Sequence, residues 1–346
     1  MRRAMLLLLS LCLAPTAACA QPASGSEVPA KLDWRVDSEG RADGKVQLDL
    51  GYRTAHNQSN WSRTVDLAEL QGLGRDQLAG TSNAPVRFRI ARDPGSFDCE
   101  GVAWRGHGTG DCRFVPDPRF TAELARRGYG APRPDQLFSM ALGDVGLAYI
   151  DELARQGYAR TGLDAIVDAG NHGAGLAYLR EMGALGYRVG TLEALIRMRD
   201  HGVDSAYVRE LVESGLKDLP ADSLVEMRDH GVSPSYIGAL RRLGYDRLPM
   251  EELIRLRDHG VTAEFAAAAR EAGFARLGTE GLVRMRDHGV TGDYLRALAG
   301  LGYRALGADE VTRLRDYGIT ADYISEANRG SARHSVDELV RLRTGG

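Results

Sequence analysis

Two periods of hydrophobicity divide the chain. Between residues 45 and 90 apolar side chains fall on alternate positions, at Val46, Leu48, Leu50 and Tyr52 and again at Val86, Phe88 and Ile90. Alternation predicts half-buried strands, because successive side chains of a strand point to opposite faces. From about residue 117 the apolar positions change to helical spacing, and the pattern recurs every 29 residues. The pentapeptide Arg-Asp-His-Gly-Val stands at 199–203, 228–232, 257–261 and 286–290, with the variant Arg315-Asp316-Tyr317-Gly318-Ile319. An aromatic follows each copy at constant distance (Tyr207, Tyr236, Phe265, Tyr294, Tyr323), and its phase extends back to Tyr178, Tyr149 and Phe120. Periods of about 20–50 residues are the signature of stacked supersecondary units.

Each unit reads as two helices. Met250 to His259 is a run of helix formers, with Pro249 at its start and Glu251 and Glu252 in the favourable first turn. Gly260 ends it in the left-handed conformation that closes the last carbonyls, and Val261 packs back on the helix. The second helix opens on Thr262, or on Ser233-Pro234 in the neighbouring copy, a hydroxyl cap followed by proline. Val203 and Val208, Val232 and Ile237, Val290 and Leu295, and Ile319 and Ile324 have the spacing of a hydrophobic staple; Ala266 is the weak member. Gly244-Tyr245, Gly273-Phe274 and Gly302-Tyr303 end the second helices. Helices shorter than about 12–15 residues rarely persist alone, so the units must stack, burying Leu248, Leu253, Leu256, Val261 and Phe265 and their equivalents. A last helix seeded at Ser335 has a shortened period and caps the array. The expected fold class is α+β: a small antiparallel β domain of five to seven strands at 31–115, then an α-solenoid of about eight 29-residue helix-turn-helix repeats at 117–346.

Composition narrows the setting. A formal charge of -3 over 346 residues offers no basic excess for nucleic acid or an anionic membrane surface. Residues 1–20, with Arg2-Arg3, an apolar run and small residues to Ala20, read as a signal peptide, and 21–30 as a polar linker. The run is too short to span a bilayer comfortably, so the mature chain is expected to be exported, periplasmic or secreted, without a transmembrane segment. Thr16-Ala17-Ala18-Cys19 also loosely resembles a lipoprotein box, which would place a lipid anchor on Cys19. Cleavage before Gln21 leaves Cys99 and Cys112. A hairpin turning at Arg105-Gly106 sets Trp104 opposite His107, Phe97 opposite Phe114, and Cys99 opposite Cys112 at a close, non-hydrogen-bonded position, which predicts a disulfide.

Candidate chemistry lies in the repeat. His172, His201, His230, His259 and His288 share one phase, and a ladder of imidazoles invites a metal reading. A spacing of roughly 10 Å between neighbouring helices is too wide for one zinc, and a histidine before the terminal glycine suits the helix dipole and a free carbonyl. Arg255 with Arg257, Arg284 with Arg286, and Arg313 with Arg315 form stripes that could grip a carboxylate- or phosphate-bearing partner. The competing reading pairs them with Asp258, Asp287 and Asp316 and with acids such as Glu251 in a solvated ladder. The sequence has no HExxH, GxSxG, P-loop or dinucleotide fingerprint, so neither a catalytic site nor a cofactor is expected. Gly106 to Gly110 is glycine-dense but lies between the two cysteines, and His56 and His107 have no convincing partners in sequence.

The copies LIRLRDHGVTAEF and LVEMRDHGVSPSYIGALRRLGY resemble a helical repeat, LxxLRxHGVTPxYIxxLxxLGY, of bacterial exported or membrane proteins, some of them similar to beta-lactam-sensor-type membrane zinc peptidases. NWSRTVDLAELQGL and PVRFRIARDPGSFDCEGVAWRGHGTGDCRFVPDP resemble the β segment that precedes such repeats. The resemblance implies an architecture and carries over no peptidase residue. The expected function is a non-catalytic, exported protein- or peptide-binding scaffold of the bacterial cell envelope; the alternative is an accessory ligand or metal sensor of an envelope signalling system.

Overall fold

A computed structural model of the protein describes residues 28–345 except 42–43, 54–57, 159, 275–276, 305 and 331. The expected signal peptide, most of the 21–30 linker, Cys19 and His56 lie outside the described residues. The chain forms two compact units. The first comprises residues up to Ala91, Gly95–Pro116 and Arg133–Phe138; the second comprises Arg92–Pro94, Asp117–Pro132 and Ser139–Gly346.

The first unit is a seven-stranded sheet of β1 (Leu32–Asp37), β2 (Lys45–Arg53), β3 (Gln58–Asp66), β4 (Leu70–Gln71), β5 (Ala84–Arg92), β6 (Gly95–Trp104) and β7 (His107–Pro116), in the order β3-β2-β1-β7-β6-β5-β4. Strands β3 and β4 occupy opposite edges, yet only the 3-10 turn Leu67–Glu69 joins them. A link that short spans about 14 Å at full extension, whereas six flat inter-strand spacings would need about 29 Å. The sheet therefore curls on itself. The alternating strands bury Val46, Leu48, Leu50, Val86, Phe88 and Ile90 as the pattern requires. Gln58 to Asn60 open β3, a polar edge strand of the kind that resists unwanted pairing. A short helix α1 (Arg75–Ala79) follows β4.

Strands β6 and β7 pair in the expected register, Trp104 with His107, Cys99 with Cys112 and Phe97 with Phe114. The Cys99–Cys112 disulfide is formed, with the Cα atoms 4.0 Å apart. Arg105 (φ 45°) and Gly106 (φ 87°) both adopt positive φ, as a two-residue hairpin turn of the primed type demands. The glycine-dense segment has a packing role. Strand β1 lies beside β7 with Trp34 opposite Gly110, and the fully buried Trp34 indole covers Gly101, Gly108 and Gly110. A Cβ would stand 2.8 Å from the ring at Gly101 or Gly108 and 2.7 Å from it at Gly110. The indole N–H donates to the Glu100 carbonyl at 3.0 Å, and Phe88 meets the ring edge-on.

The second unit is built from α2 (Pro118–Arg126), α3 (Pro134–Leu142, whose first turns belong to the sheet unit), α4 (Leu147–Arg155), α5 (Leu163–Asn171), α6 (Leu176–Ala184), α7 (Leu192–Asp200), α8 (Ser205–Glu213) and α9 (Ala221–Asp229). It continues with α10 (Pro234–Arg242), α11 (Met250–Asp258), α12 (Ala263–Glu271), α13 (Thr279–Asp287), α14 (Gly292–Gly300), α15 (Ala308–Asp316), α16 (Ala321–Ala327) and α17 (Val336–Thr344). Even-numbered helices begin every 29 residues from Pro118 to Ala321, and odd-numbered helices do so from Pro134 to Ala308, with α17 one residue early. Even helices stack on even and odd on odd, so the units form two parallel rows.

Local chemistry sets each helix end. Gly260 has φ 68°; its N–H reaches the Arg257 carbonyl at 2.9 Å, and the Val261 N–H reaches Leu256 at 2.8 Å, a complete Schellman closure. Ser233, Thr262, Thr291 and Thr320 each accept the N–H three residues on, and Asp204 does the same for α8. Val261, Leu253, Leu256 and Phe265 are buried, each contributing roughly 1.5–3 kcal/mol. Leu248 was expected among them but is half-buried, because the loop before Pro249 lines an open cavity.

Candidate functional surfaces

The pentapeptide joins one unit to the next through three separate contacts. First, the aromatic that follows it is buried in every copy but the last, whose Tyr323 is half-buried, and four hydroxyls donate to the carbonyl that ends the next pentapeptide: Tyr178 to Val203, Tyr207 to Val232, Tyr236 to Val261 and Tyr294 to Ile319, at 2.7–2.9 Å. Burial pushes the Tyr207, Tyr236 and Tyr294 phenols up to about 12, against the opposing pull of the nearby arginines. Phe265 keeps the packing without this bond.

Second, the arginine that opens each pentapeptide lies over the aromatic of the preceding unit. Arg228 stands 4.8 Å from the Tyr207 centroid, Arg257 5.1 Å from Tyr236, Arg286 5.2 Å from Phe265 and Arg315 5.7 Å from Tyr294. Arg286 and Arg315 also donate to the carbonyls of Gly260 and Gly289 at 3.0 and 3.2 Å. Third, each ladder histidine bonds forward. The Nδ1 atoms of His172, His201, His230, His259 and His288 lie 2.6–2.8 Å from Asp200, Asp229, Asp258, Asp287 and Asp316. A carboxylate can only accept, so Nδ1 carries the proton. The His230 pKa is raised, chiefly by its bond to Asp258. The expected free-carbonyl contact of these histidines is thus replaced by a carboxylate one unit on.

The candidate arginines therefore separate by phase. Arg257, Arg286 and Arg315 are engaged within the array. Arg255, Arg284 and Arg313 point along the odd row and pair with Glu280, Asp309 and Asp337, as Arg197 does with Asp222. Asp258, Asp287 and Asp316, which the sequence assigned to these arginines, serve the histidines instead. Two junctions break the pattern, since Asp168 and Glu226 stand at the phase of the arginines, with Glu193 and Glu251 25 residues on. At the α9–α11 junction the arginine of the Arg197–Asp222 and Arg255–Glu280 pairs is thus replaced in sequence by Glu226. Among odd helices from α5 to α17, the α9 and α11 backbones approach one another closely at fewer points than the other neighbours do. A cavity of about 430 Å³ opens between the α8–α9 loop, α10 and the start of α11, lined by Leu216, Ile237, Leu240, Tyr245, Leu248 and Pro249 with Arg241 and Arg247.

Two further polar groupings stand out. In α4 the buried Glu152 takes bonds from Arg155 and Gln156, and Gln156 also donates to the Leu179 carbonyl at 3.1 Å. These bonds, Arg155 first, hold the Glu152 carboxyl down at about 2. Gly183 makes room, since a Cβ there would clash with the Gln156 amide, oxygen first. In the sheet unit, Asp37, Glu39 and His107 bring one donor atom each within 4.8 Å of one another. They are the one such trio of His, Cys or carboxylate groups among the described residues, and no ladder histidine belongs to it. The sequence reading left His107 without partners because Asp37 meets it only through the β1–β7 pairing. Among the described residues no helix is long and apolar enough to cross a membrane. No protein-family model matches the sequence, and no curated protein matches it.

Proposed function

We propose that this chain is a non-catalytic, exported scaffold of the bacterial cell envelope whose helical array binds a protein or peptide. The observation that carries this reading is the use of the repeated polar residues. The arginine and histidine of the pentapeptide and the aromatic that follows it contact the neighbouring unit, which leaves the variable exposed positions as a long surface of the kind stacked repeats offer to partners. The start of α11 supports a docking point there, since Glu251, which has Glu226 rather than an arginine 25 residues before it, follows closely on Pro249 in the wall of an apolar cavity bordered by arginines. Export is supported by the leader-like residues 1–20 and by the disulfide, which suits an oxidising compartment.

The test is affinity capture from cell-envelope extract with the full chain as bait, beside Glu226→Arg, which joins Arg197 to the run of Arg255, Arg284 and Arg313. Recovery of a discrete protein partner that Glu226→Arg retains poorly is the expected result. Capture of no protein above an unrelated bait overturns the scaffold reading; undiminished capture by Glu226→Arg moves the docking point elsewhere on the array.

A further inference from the structure

We propose that Asp37, Glu39 and His107 form a binding site for a divalent transition-metal ion beside the β6–β7 hairpin turn. This proposal is independent of the scaffold reading. Asp37 ends β1 and is the cross-strand partner of His107, the first residue of β7. Glu39 sits in the turn that follows, and its backbone N–H donates to Asp37 Oδ1 at 2.8 Å. His107 Nδ1 stands 3.6 Å from Asp37 Oδ1. That is too long for a hydrogen bond. It is close to the spacing of two ligands on one tetrahedral ion, about 3.4 Å when each bond is about 2.1 Å. The ladder histidines differ here, because each already has a carboxylate at hydrogen-bond distance.

The frame that holds the trio is fixed by bonds outside it. Ser38, between Asp37 and Glu39, donates to the Gly106 carbonyl from both its N–H and its hydroxyl, each at 3.0 Å. Arg105 and Gly106 in turn donate to the carbonyls of Gly80 and Leu78 at 2.7 Å. The donors are consequently brought together by the fold before any ion arrives, which lowers the ordering cost of binding. One imidazole and two carboxylates suit zinc and its first-row neighbours better than the all-oxygen preference of calcium or magnesium. The side chains of Asp37 and His107 are 48% and 40% exposed, so the ion would keep coordination positions open to solvent. Two adjacent anions also gain a counter-charge when the ion binds.

The test is zinc and cobalt titration of the chelator-treated full chain, followed by calorimetry and by cobalt absorption. One equivalent is expected to bind and to raise the melting temperature. Glu39→Gln and His107→Gln should each weaken binding by at least about tenfold while leaving the circular dichroism spectrum unchanged. The variant His230→Asn/His259→Asn/His288→Asn should retain the equivalent. Failure to bind zinc or cobalt overturns the proposal, as does binding that survives both Glu39→Gln and His107→Gln. So does loss of all binding in the ladder variant, which would place the ion on the array. Because Glu39 lies in an exposed turn, its substitution keeps the test decisive should His107→Gln not fold.

Discussion

The sheet unit and the helical array solve the same problem of burying a core in opposite ways. In the sheet, each important contact occurs once and joins distant segments: Trp34 rests on glycines 67 to 76 residues away in sequence, and a single disulfide ties β6 to β7. In the array the same three contacts recur at offsets set by the period, and each joins only neighbouring units. A defect in the sheet should therefore remove the whole unit, whereas a defect in the array should weaken one junction and leave the others close to intact.

The strongest way to break this contrast is Gly110→Val. Its side chain would enter the space of the Trp34 indole, 2.7 Å from the ring nitrogen at Cβ. Expelling the indole should cost about 3–5 kcal/mol, the range for losing a buried tryptophan. Near-ultraviolet circular dichroism should then lose the tryptophan signal while the far-ultraviolet helical signal persists. Simultaneous loss of both would show that the array depends on the sheet.

A smaller effect tests whether the array's first units carry a contact of their own. Glu152→Gln should destabilise by roughly 2 kcal/mol, because it removes a charge-assisted network around a buried carboxylate. The pH dependence has a definite sign. The folded carboxyl titrates near 2, below its ordinary 4.5, so its contribution is present above about pH 4.5 and is lost as pH falls toward 2. Acid melts of the wild type and Glu152→Gln should converge over that window; parallel curves would contradict the assignment.

The smallest expected effect concerns the α9–α11 junction. Glu226→Arg places a cation at the phase where Arg197, Arg255, Arg284 and Arg313 carry an ion pair, with Glu251 as its partner, and exposed pairs of this kind contribute about 0.2–1 kcal/mol. Thermal melts should rise slightly in low salt, with the gain reduced at high salt. A fall in stability would mean that Glu226 and Glu251 do not face one another.

What could be read in the sequence followed the same division. Helix ends in the array depend on residues within one turn of each other, so the period, the glycine closures and the hydroxyl caps were all legible. The hairpin register and the disulfide were legible for the same reason, since both follow by counting outward from Arg105-Gly106. The partners of the ladder histidines were present but unread: an aspartate precedes the histidine in the next copy, one residue short of the 29-residue period. The Trp34 seat and the Asp37, Glu39 and His107 trio were hidden, because both require knowing that β1 pairs with β7 across some 70 residues. The arginine stripe was divided correctly only once the stacking direction was known, since adjacent arginines on one helix meet different neighbours.

The central claim is that the repeated arginine and aromatic hold one unit to the next. A double-mutant cycle between Tyr236→Leu and Arg257→Met, measured by urea denaturation of the full chain, tests it most directly. The 5.1 Å approach of the Arg257 guanidinium to the Tyr236 ring should appear as a coupling of about 0.5–2 kcal/mol. Strict additivity, within about 0.3 kcal/mol, would show that the arginine does not join the units through the aromatic and would return the arginine row to the list of free binding groups.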